Sequence, residues 1–289
     1  MKRGWCVCLL GLLLFFPACA AVDIAGQSQE NRFVLLASTI GPIDAGIVGA
    51  LEEAFEKESG IRVRHVGAGT GAALKMAEGG QFDLVLAHAK ALEEKFIKDG
   101  FGTARIPLMY NDFVIVGPST DPAKIKGMKT AAEALKTVAA KKVSFISRGD
   151  KSGTHVAEMD LWANAGIKPS GAWYVVYEKG ASGNVPTLKY TDEQQAYTVI
   201  DRATYLSIRS QIKVSILVEN DEAMLNFMSL IPVNDKKFSR VNRAAAMRFV
   251  EWTTAPEKGQ TIIRDFGKEK YGAPLFFPNS DAWRKKTGK

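Results

Sequence analysis

Beyond residue 19 the sequence has no cysteine: Cys6, Cys8 and Cys19 are its only thiols, and all fall at the start of a 289-residue chain. A chain trimmed past that point has no disulfide and no cysteine nucleophile. Histidine is nearly as scarce, with only His65, His88 and His155, too scattered to form a zinc site without a thiolate to help. There is no Gly-Lys-Ser/Thr phosphate loop, no EF-hand spacing, no internal repeat and no low-complexity tract. These absences exclude nucleotide hydrolysis by a Walker loop and calcium binding by a dedicated loop.

What is present begins with a leader. Lys2 and Arg3 precede an apolar run from Trp5 to Phe16, followed by Pro17-Ala-Cys-Ala-Ala21. A basic region, an apolar region and a small-residue cleavage site in that order read as a signal peptide over residues 1–20. The run is shorter than the roughly twenty residues a membrane helix requires. The chain is therefore expected to be exported to the periplasm, with cleavage near Ala20. The alternative processing leaves a lipid on Cys19, the one route by which this chain would be held at a membrane. Residues 21–31 are polar and read as a linker.

Removing Lys2 and Arg3 takes two charges from the formal net charge of +7, leaving +5. The remaining excess is dispersed in short clusters such as Lys141-Lys142, Lys236-Lys237 and Arg284-Lys285-Lys286. They read as solvated surface, and no nucleic-acid partner is expected. A mature chain of about 265 residues can bury a large core and divide into two lobes.

Short apolar runs alternate with helical patterns. Phe33–Ala37, Ile61–Val66 and Phe82–Ala87 are predicted strands; helices are predicted over Ile47–Gly60, with Asp44 at its front, from Thr70, and over Leu92–Lys98. Further on, Val114–Val116, Val143–Ser147, Trp173–Tyr177, Ala196–Ile200 and Val214–Val218 read as strands. Helices are predicted near Pro122–Lys126 and over Thr130–Ala140, Gly153–Ala165 and Asn242–Thr253, with one more starting at Pro256. This order argues for an α/β fold with mostly parallel sheets flanked by helices.

The most informative stretch is Val143-Ser-Phe-Ile-Ser-Arg-Gly-Asp-Lys-Ser-Gly-Thr-His155. An apolar strand runs into a hydroxyl-rich turn that opens a helix. The first N–H groups of a helix have no intrahelical partner, and the dipole there favours negative charge. Arg148 beside Ser152 and Thr154 makes this an anion site. Ser152 and Thr154 also suit simple capping. Asp150 reads as an orienter of Arg148, and His155 as structural.

Enzyme readings are weak. Gly67-Ala-Gly-Thr-Gly-Ala72 fits a dinucleotide fingerprint formally, but the preceding strand carries Arg62, Arg64 and His65, whereas such a strand is normally buried on both faces. Gly149-Asp-Lys-Ser152-Gly153 lacks the glycine two places before its serine that a nucleophile elbow needs. Apart from His155 and Asp150 no general base adjoins the anion turn, so no catalytic residue is assigned.

Five segments together resemble a known family: Ser147–His155, Met109–Pro118, Gly69-Thr-Gly71, Ala196–Arg202 and Pro274–Pro278 are similar to the tungstate-binding periplasmic proteins of bacterial ABC transporters. The resemblance implies a two-lobe type II periplasmic-binding-protein fold with hinge crossings near Tyr110–Phe113 and Phe227–Leu230. Residues 32–112 with 229–289 would form lobe I, and 113–228 lobe II. It implies a monomer that captures tungstate or molybdate, binds no cofactor or free metal cation, and delivers its oxyanion to an ABC-transporter permease. The expected ligand-binding residues are Ser38, Thr39 and Thr70 from lobe I, and Arg148, Ser152, Thr154 and Asn184 from lobe II. Loops at the carboxyl ends of parallel strands are where α/β folds bind ligands, which agrees with these positions.

The chain departs from the family pattern in three places. Ser38-Thr39-Ile40-Gly41 stands where the family has Thr-Thr-Thr-Ser, Gly183-Asn184-Val185-Pro186 replaces Gly-Met-Gly-Ala, and Ala89 follows His88 in place of Asp. Asn184 is the expected replacement donor. Phosphate is the alternative ligand, because phosphate-binding proteins share a similar Arg-x-Asp-x-Ser-Gly-Thr turn and Asp150 could accept the proton of hydrogen phosphate. A non-transport anion sensor of the same fold is the other alternative.

Overall fold

The computed structural model describes Met1 and residues 32–288; the leader with Cys19 and the linker before residue 32 lie outside the described residues. The chain opens with β1 (Phe33–Thr39), a short α1 (Ile40–Asp44), α2 (Ile47–Ser59), β2 (Arg62–Ala68), α3 (Thr70–Ala77), β3 (Leu84–Ala87) and α4 (Lys90–Lys98). β1 lies between β2 and β3 and runs parallel to both. Strand alternation sends Val34 and Leu36 to one face, against Ile47, Leu51 and Phe55 of α2. Ala37 and Val85 face the other way, against Leu74 and Ala77 of α3 and Phe96 of α4. α2 ends at Gly60, whose φ of 69° closes the helix in the left-handed region. Asp44 does not sit at the front of α2: it ends α1, because Thr39 already starts a separate helix.

β4 (Ile106–Gly117) is a single 12-residue strand, longer than the predicted Val114–Val116. After it come α5 (Ala131–Lys141), β5 (Phe145–Ser147), α6 (Gly153–Asn164), β6 (Tyr174–Val176), α7 (Asn184–Glu193), β7 (Thr198–Asp201), α8 (Arg202–Ile208), β8 (Ser215–Val218) and β9 (Leu225–Pro232). The chain closes with α9 (Arg243–Thr254), α10 (Gly259–Asp265), α11 (Lys268–Tyr271), β10 (Phe277–Pro278) and α12 (Asp281–Thr287). Residues 122–126 form turns rather than the predicted helix. Asp121 and Lys124 take positive φ, and Asp121 is held by Tyr197 Oη and Lys126 N.

The first half of β4 pairs antiparallel with β9, and its second half with β7 and β8. β9 in turn pairs antiparallel with β3. The sheets are therefore mixed rather than mostly parallel: the strands linked through helices are parallel, and the long crossing strands add antiparallel edges. Two sets of core residues follow the same division. Val34, Leu36, Phe55, Leu84, Met109, Leu230 and Phe249 belong to one, and Ile115, Leu135, Phe145, Trp162, Tyr197 and Leu217 to the other. Where β4 passes between them, Asp112 is buried and takes a two-pronged ion pair from Arg202, with its closest contact at 2.6 Å. Among the described residues no helix is long and apolar enough to cross a membrane.

Candidate functional site

β5 delivers Ser147 and Arg148 to the front of α6. Ser147 is fully buried and donates to Glu158 Oε2 at 2.6 Å; Trp162 Nε1 and the Tyr174 hydroxyl donate to Oε1 of the same carboxylate, at 3.1 and 2.8 Å. Burial pushes the Glu158 carboxyl up to about 7 against these three donors, which favour its charged form. This buried knot ties the end of β5 to α6 and β6. The turn that follows reverses through positive φ at Gly149 and Lys151. Ser152 then caps α6, accepting from His155 N at 3.4 Å. A capping serine accepts through a lone pair, and the Ser152 O–H is left to donate, here to the Asp150 carboxylate. Thr154, in the first turn, is 7% exposed.

Arg148 is held on three sides. Its Nε donates to Gly180 O at 3.3 Å, one terminal nitrogen to Asn184 Oδ1, and the other to Asp150 Oδ2 at 2.5 Å. A guanidinium has five N–H groups. Two remain, one on each terminal nitrogen, as charge-assisted donors for an oxyanion. Gly180 has to be glycine: a Cβ there would lie 2.0 Å from Arg148 O. Asp150 also accepts from Ser152 N at 3.1 Å. Partial burial works to raise the Asp150 carboxyl, but the bonds from Ser152 and the Arg148 guanidinium prevail and hold it below the ordinary aspartate range.

Asn184 opens α7 and is itself anchored, its Nδ2 donating to Asp201 Oδ2 at 2.7 Å. Asp201 caps α8 through Thr204 N at 2.8 Å, and burial raises its carboxyl. The expected replacement donor is thus mainly an orienting group: its carbonyl faces Arg148, and one amide hydrogen is left. Residue spacing does not reveal this relay, because Gly180, Asn184 and Asp201 are far from Arg148 along the chain. The Asp-Arg end of the Ala196–Arg202 segment was its nearest hint.

The other predicted residues gather at the ends of β1 and β2. Thr39, at the cap position of α1, is 1% exposed, and its hydroxyl neither caps the helix nor meets any other partner. The Thr70 hydroxyl, in the first turn of α3, is likewise buried and unpartnered; the cap there is Gly69. Thr39 pairs with Ala68 across β1 and β2, which brings the two threonines to the same strand ends. Ser38 differs, being fully buried and donating to Thr39 O at 3.1 Å. Ser229, which sequence reasoning did not single out, is 1% exposed opposite Ala87 at the end of β3 and also lacks a partner. Buried polar atoms are normally bonded, so unsatisfied hydroxyls gathered at strand ends call for a ligand.

The two groups approach each other where His88, just after β3, meets Gly153 at the start of α6: a Cβ on Gly153 would lie 3.3 Å from the imidazole Cε1. His155 is structural, its Nδ1 accepting from Lys151 N at 2.8 Å. Among the described residues no group of three or more His, Cys, Asp or Glu side chains could hold a metal ion. The open surface grooves lie elsewhere. One is lined by Glu52, Glu53, Glu56 and Arg64, and another by Glu58, Glu257 and Lys258; their carboxylates are the wrong chemistry for an anion.

A held guanidinium with two unengaged N–H groups, two helix N-termini and unpartnered hydroxyls, with the adjacent carboxylate already bonded, make up donor chemistry that suits a small anion. Residues 25–257 match the model of the PBP superfamily domain, and the chain belongs to that family of binding proteins rather than to the enzymes. It is 44% identical over 275 residues to the tungstate-binding protein TupA of Peptoclostridium acidaminophilum, covering 93% of this chain and 95% of that one. It is 37% identical to TupA of Campylobacter jejuni, covering 81% and 86% of the two chains. Among solved structures, the tungstate-binding TupA of Desulfovibrio alaskensis G20 superposes with a TM-score of 0.80 at 40% identity, covering 86% of this chain and 100% of that one.

Proposed function

We propose that this protein is the extracytoplasmic receptor of an ABC transporter, capturing tungstate, or the nearly isosteric molybdate, in the cleft between two lobes. The observation that carries the reading is Arg148: three of its N–H groups are engaged by Gly180, Asn184 and Asp150, leaving one on each terminal nitrogen at the N-terminus of α6. Thr39, Thr70 and Thr154 add hydroxyl donors; Ser152, whose O–H is on Asp150, sits at the start of α6 beside them, and Ser38 donates to Thr39 O. Both ligands are fully deprotonated dianions at neutral pH. A site for them needs donors and no free carboxylate, and both oxygens of Asp150 already accept bonds. Hydrogen phosphate would in addition need a carboxylate oxygen to accept its own proton, and Asp150 is the carboxylate at this turn.

In this reading residues 32–112 with 229–289 form one lobe and 113–228 the other, hinged on β4 and β9. The working form is a periplasmic monomer whose liganded, closed state presents both lobes to a membrane permease. Calorimetry of the purified ligand-free protein with tungstate, molybdate, sulfate and phosphate tests it. One-to-one, sub-micromolar binding of tungstate or molybdate and weak binding of the other two are expected. A response confined to phosphate overturns the ligand assignment.

A further inference from the structure

His88 has no role in the site as built from Arg148 and the threonines, yet it stands between them. It follows the last residue of β3, the strand beside β1 whose end carries Thr39. Across from it lies the first residue of α6, Gly153, flanked by Ser152 and Thr154. The Cε1–Nε2 edge of the ring faces this glycine: a Cβ built there would lie 3.3 Å from Cε1 and 3.8 Å from Nε2. Glycine at this position lets the helix N-terminus come up to the imidazole.

The ring is braced from behind. The ring bonds to its own backbone and to Asn226 on β9, and Asn226 Nδ2 donates to Asn111 Oδ1 on β4 at 2.8 Å. Burial lowers the His88 pKa, against smaller opposing contributions from its own backbone and from Asn226. Charged or titratable groups on the neighbouring elements include Lys90, Glu93, Glu94, Lys95 and Lys98 on α4, Tyr110 and Asp112 on β4, Arg148, Asp150 and Lys151 before α6, and His155, Glu158 and Asp160 on it; burial, not a neighbouring charge, dominates at His88. β9 carries no charged side chain. The ligand-free ring is therefore neutral, with a single N–H.

We propose that His88 is a ligand-contacting residue that donates a ring N–H to the bound oxyanion, and that a proton is taken up with the anion to supply it. The inference rests on the reading of the cleft as an oxyanion site. A dianion beside a buried imidazole supplies the missing counter-charge, so the ring gains a proton from the solvent and, with both nitrogens protonated, donates one N–H to the anion. The site then acquires a positive charge only when it is filled. Arg148 alone does not provide this, because Asp150 already pairs with it.

Calorimetric titration with tungstate at neutral pH, in two buffers of different ionisation enthalpy, tests this with the wild type, H88Q and H88F. Wild type is expected to take up protons on binding. H88Q, which keeps an N–H donor, should bind within several-fold of wild type without proton uptake, whereas H88F should bind about tenfold or more weakly, as expected for one lost hydrogen bond to a charged group. Melting curves of the ligand-free variants check that each is folded. Unchanged affinity in H88F, no proton uptake by wild type, or equal losses in H88Q and H88F would each overturn the proposal. Wild type that binds but shows one of these results leaves the receptor reading standing. Wild type silent toward every oxyanion removes both.

Discussion

The polar groups at the start of α6 and those at the ends of β1, β2 and β3, the two sides of the proposed site, are built on opposite plans. Around Arg148 the polar groups answer one another: Gly180, Asn184 and Asp150 hold the guanidinium, Asp201 holds Asn184, and Glu158 holds the strand end beneath. Around Thr39 the hydroxyls are buried and wait, with those of Thr39, Thr70 and Ser229 unpartnered. The difference is one of timing. The first side is assembled before the ligand arrives and loses little freedom on binding. The second has no protein partner for its hydroxyls, which leaves them to a ligand or to water.

The comparison breaks most visibly at Arg148. Arg148→Ala should weaken oxyanion binding by about 3 kcal/mol or more, because it removes the fork and leaves Asp150 uncompensated beside a dianion. Arg148→Lys should recover only part of this, since a point charge cannot form the fork. Titration calorimetry reads both, and wild-type affinity in either variant would move the site elsewhere.

Beneath the same side, Glu158 predicts a pH effect on stability. Burial lifts its folded pKa to about 7, above the ordinary glutamate value of 4.5, so the folded state binds the proton more tightly than the unfolded one. Stability should be highest below pH 4.5 as far as this group is concerned and should fall as pH rises towards 7, by up to about 3 kcal/mol. Denaturant melts across that range should show the slope in wild type and lose it in Glu158→Gln. A Glu158→Gln slope equal to that of wild type would assign the effect to another group.

On the waiting side the expected signs are opposed. Thr39→Val should weaken binding by about 1–2 kcal/mol yet leave the ligand-free protein as stable or more stable, because an unpartnered buried hydroxyl is removed. Loss of both affinity and stability would mean that the hydroxyl has a structural partner. The smallest effect belongs to Asn184→Ala, which frees one arm of Arg148 and should cost about 1 kcal/mol of affinity. Unchanged affinity would show that Gly180 and Asp150 suffice to hold the fork.

Much of this was legible from the sequence where local rules govern. The strand-turn-helix of Val143–His155, the stop of α2 at Gly60 and the hydroxyls at strand ends follow from apolar patterning, capping and glycine geometry. The length of β4 did not show, because Tyr110-Asn111-Asp112 interrupts its apolar run; those polar residues are satisfied by distant partners, Asn226 for Asn111 and Arg202 for Asp112. α7 escaped notice since it buries Thr187 and Thr191 on its inner face, which blurs the amphipathic pattern. The orienting relay through Asn184 and Asp201 depends on contacts 17 and 36 residues apart, which spacing does not reveal.

The most direct test is a crystal structure of the protein grown with tungstate, using anomalous scattering to locate the metal. A single strong peak is expected between the free edge of the Arg148 guanidinium and the Thr39 and Thr70 hydroxyls, with oxyanion oxygens in hydrogen-bonding reach of Ser152 and Thr154. A fully occupied peak at any other place, with the Arg148 fork and the two threonine hydroxyls still unoccupied, would contradict the account.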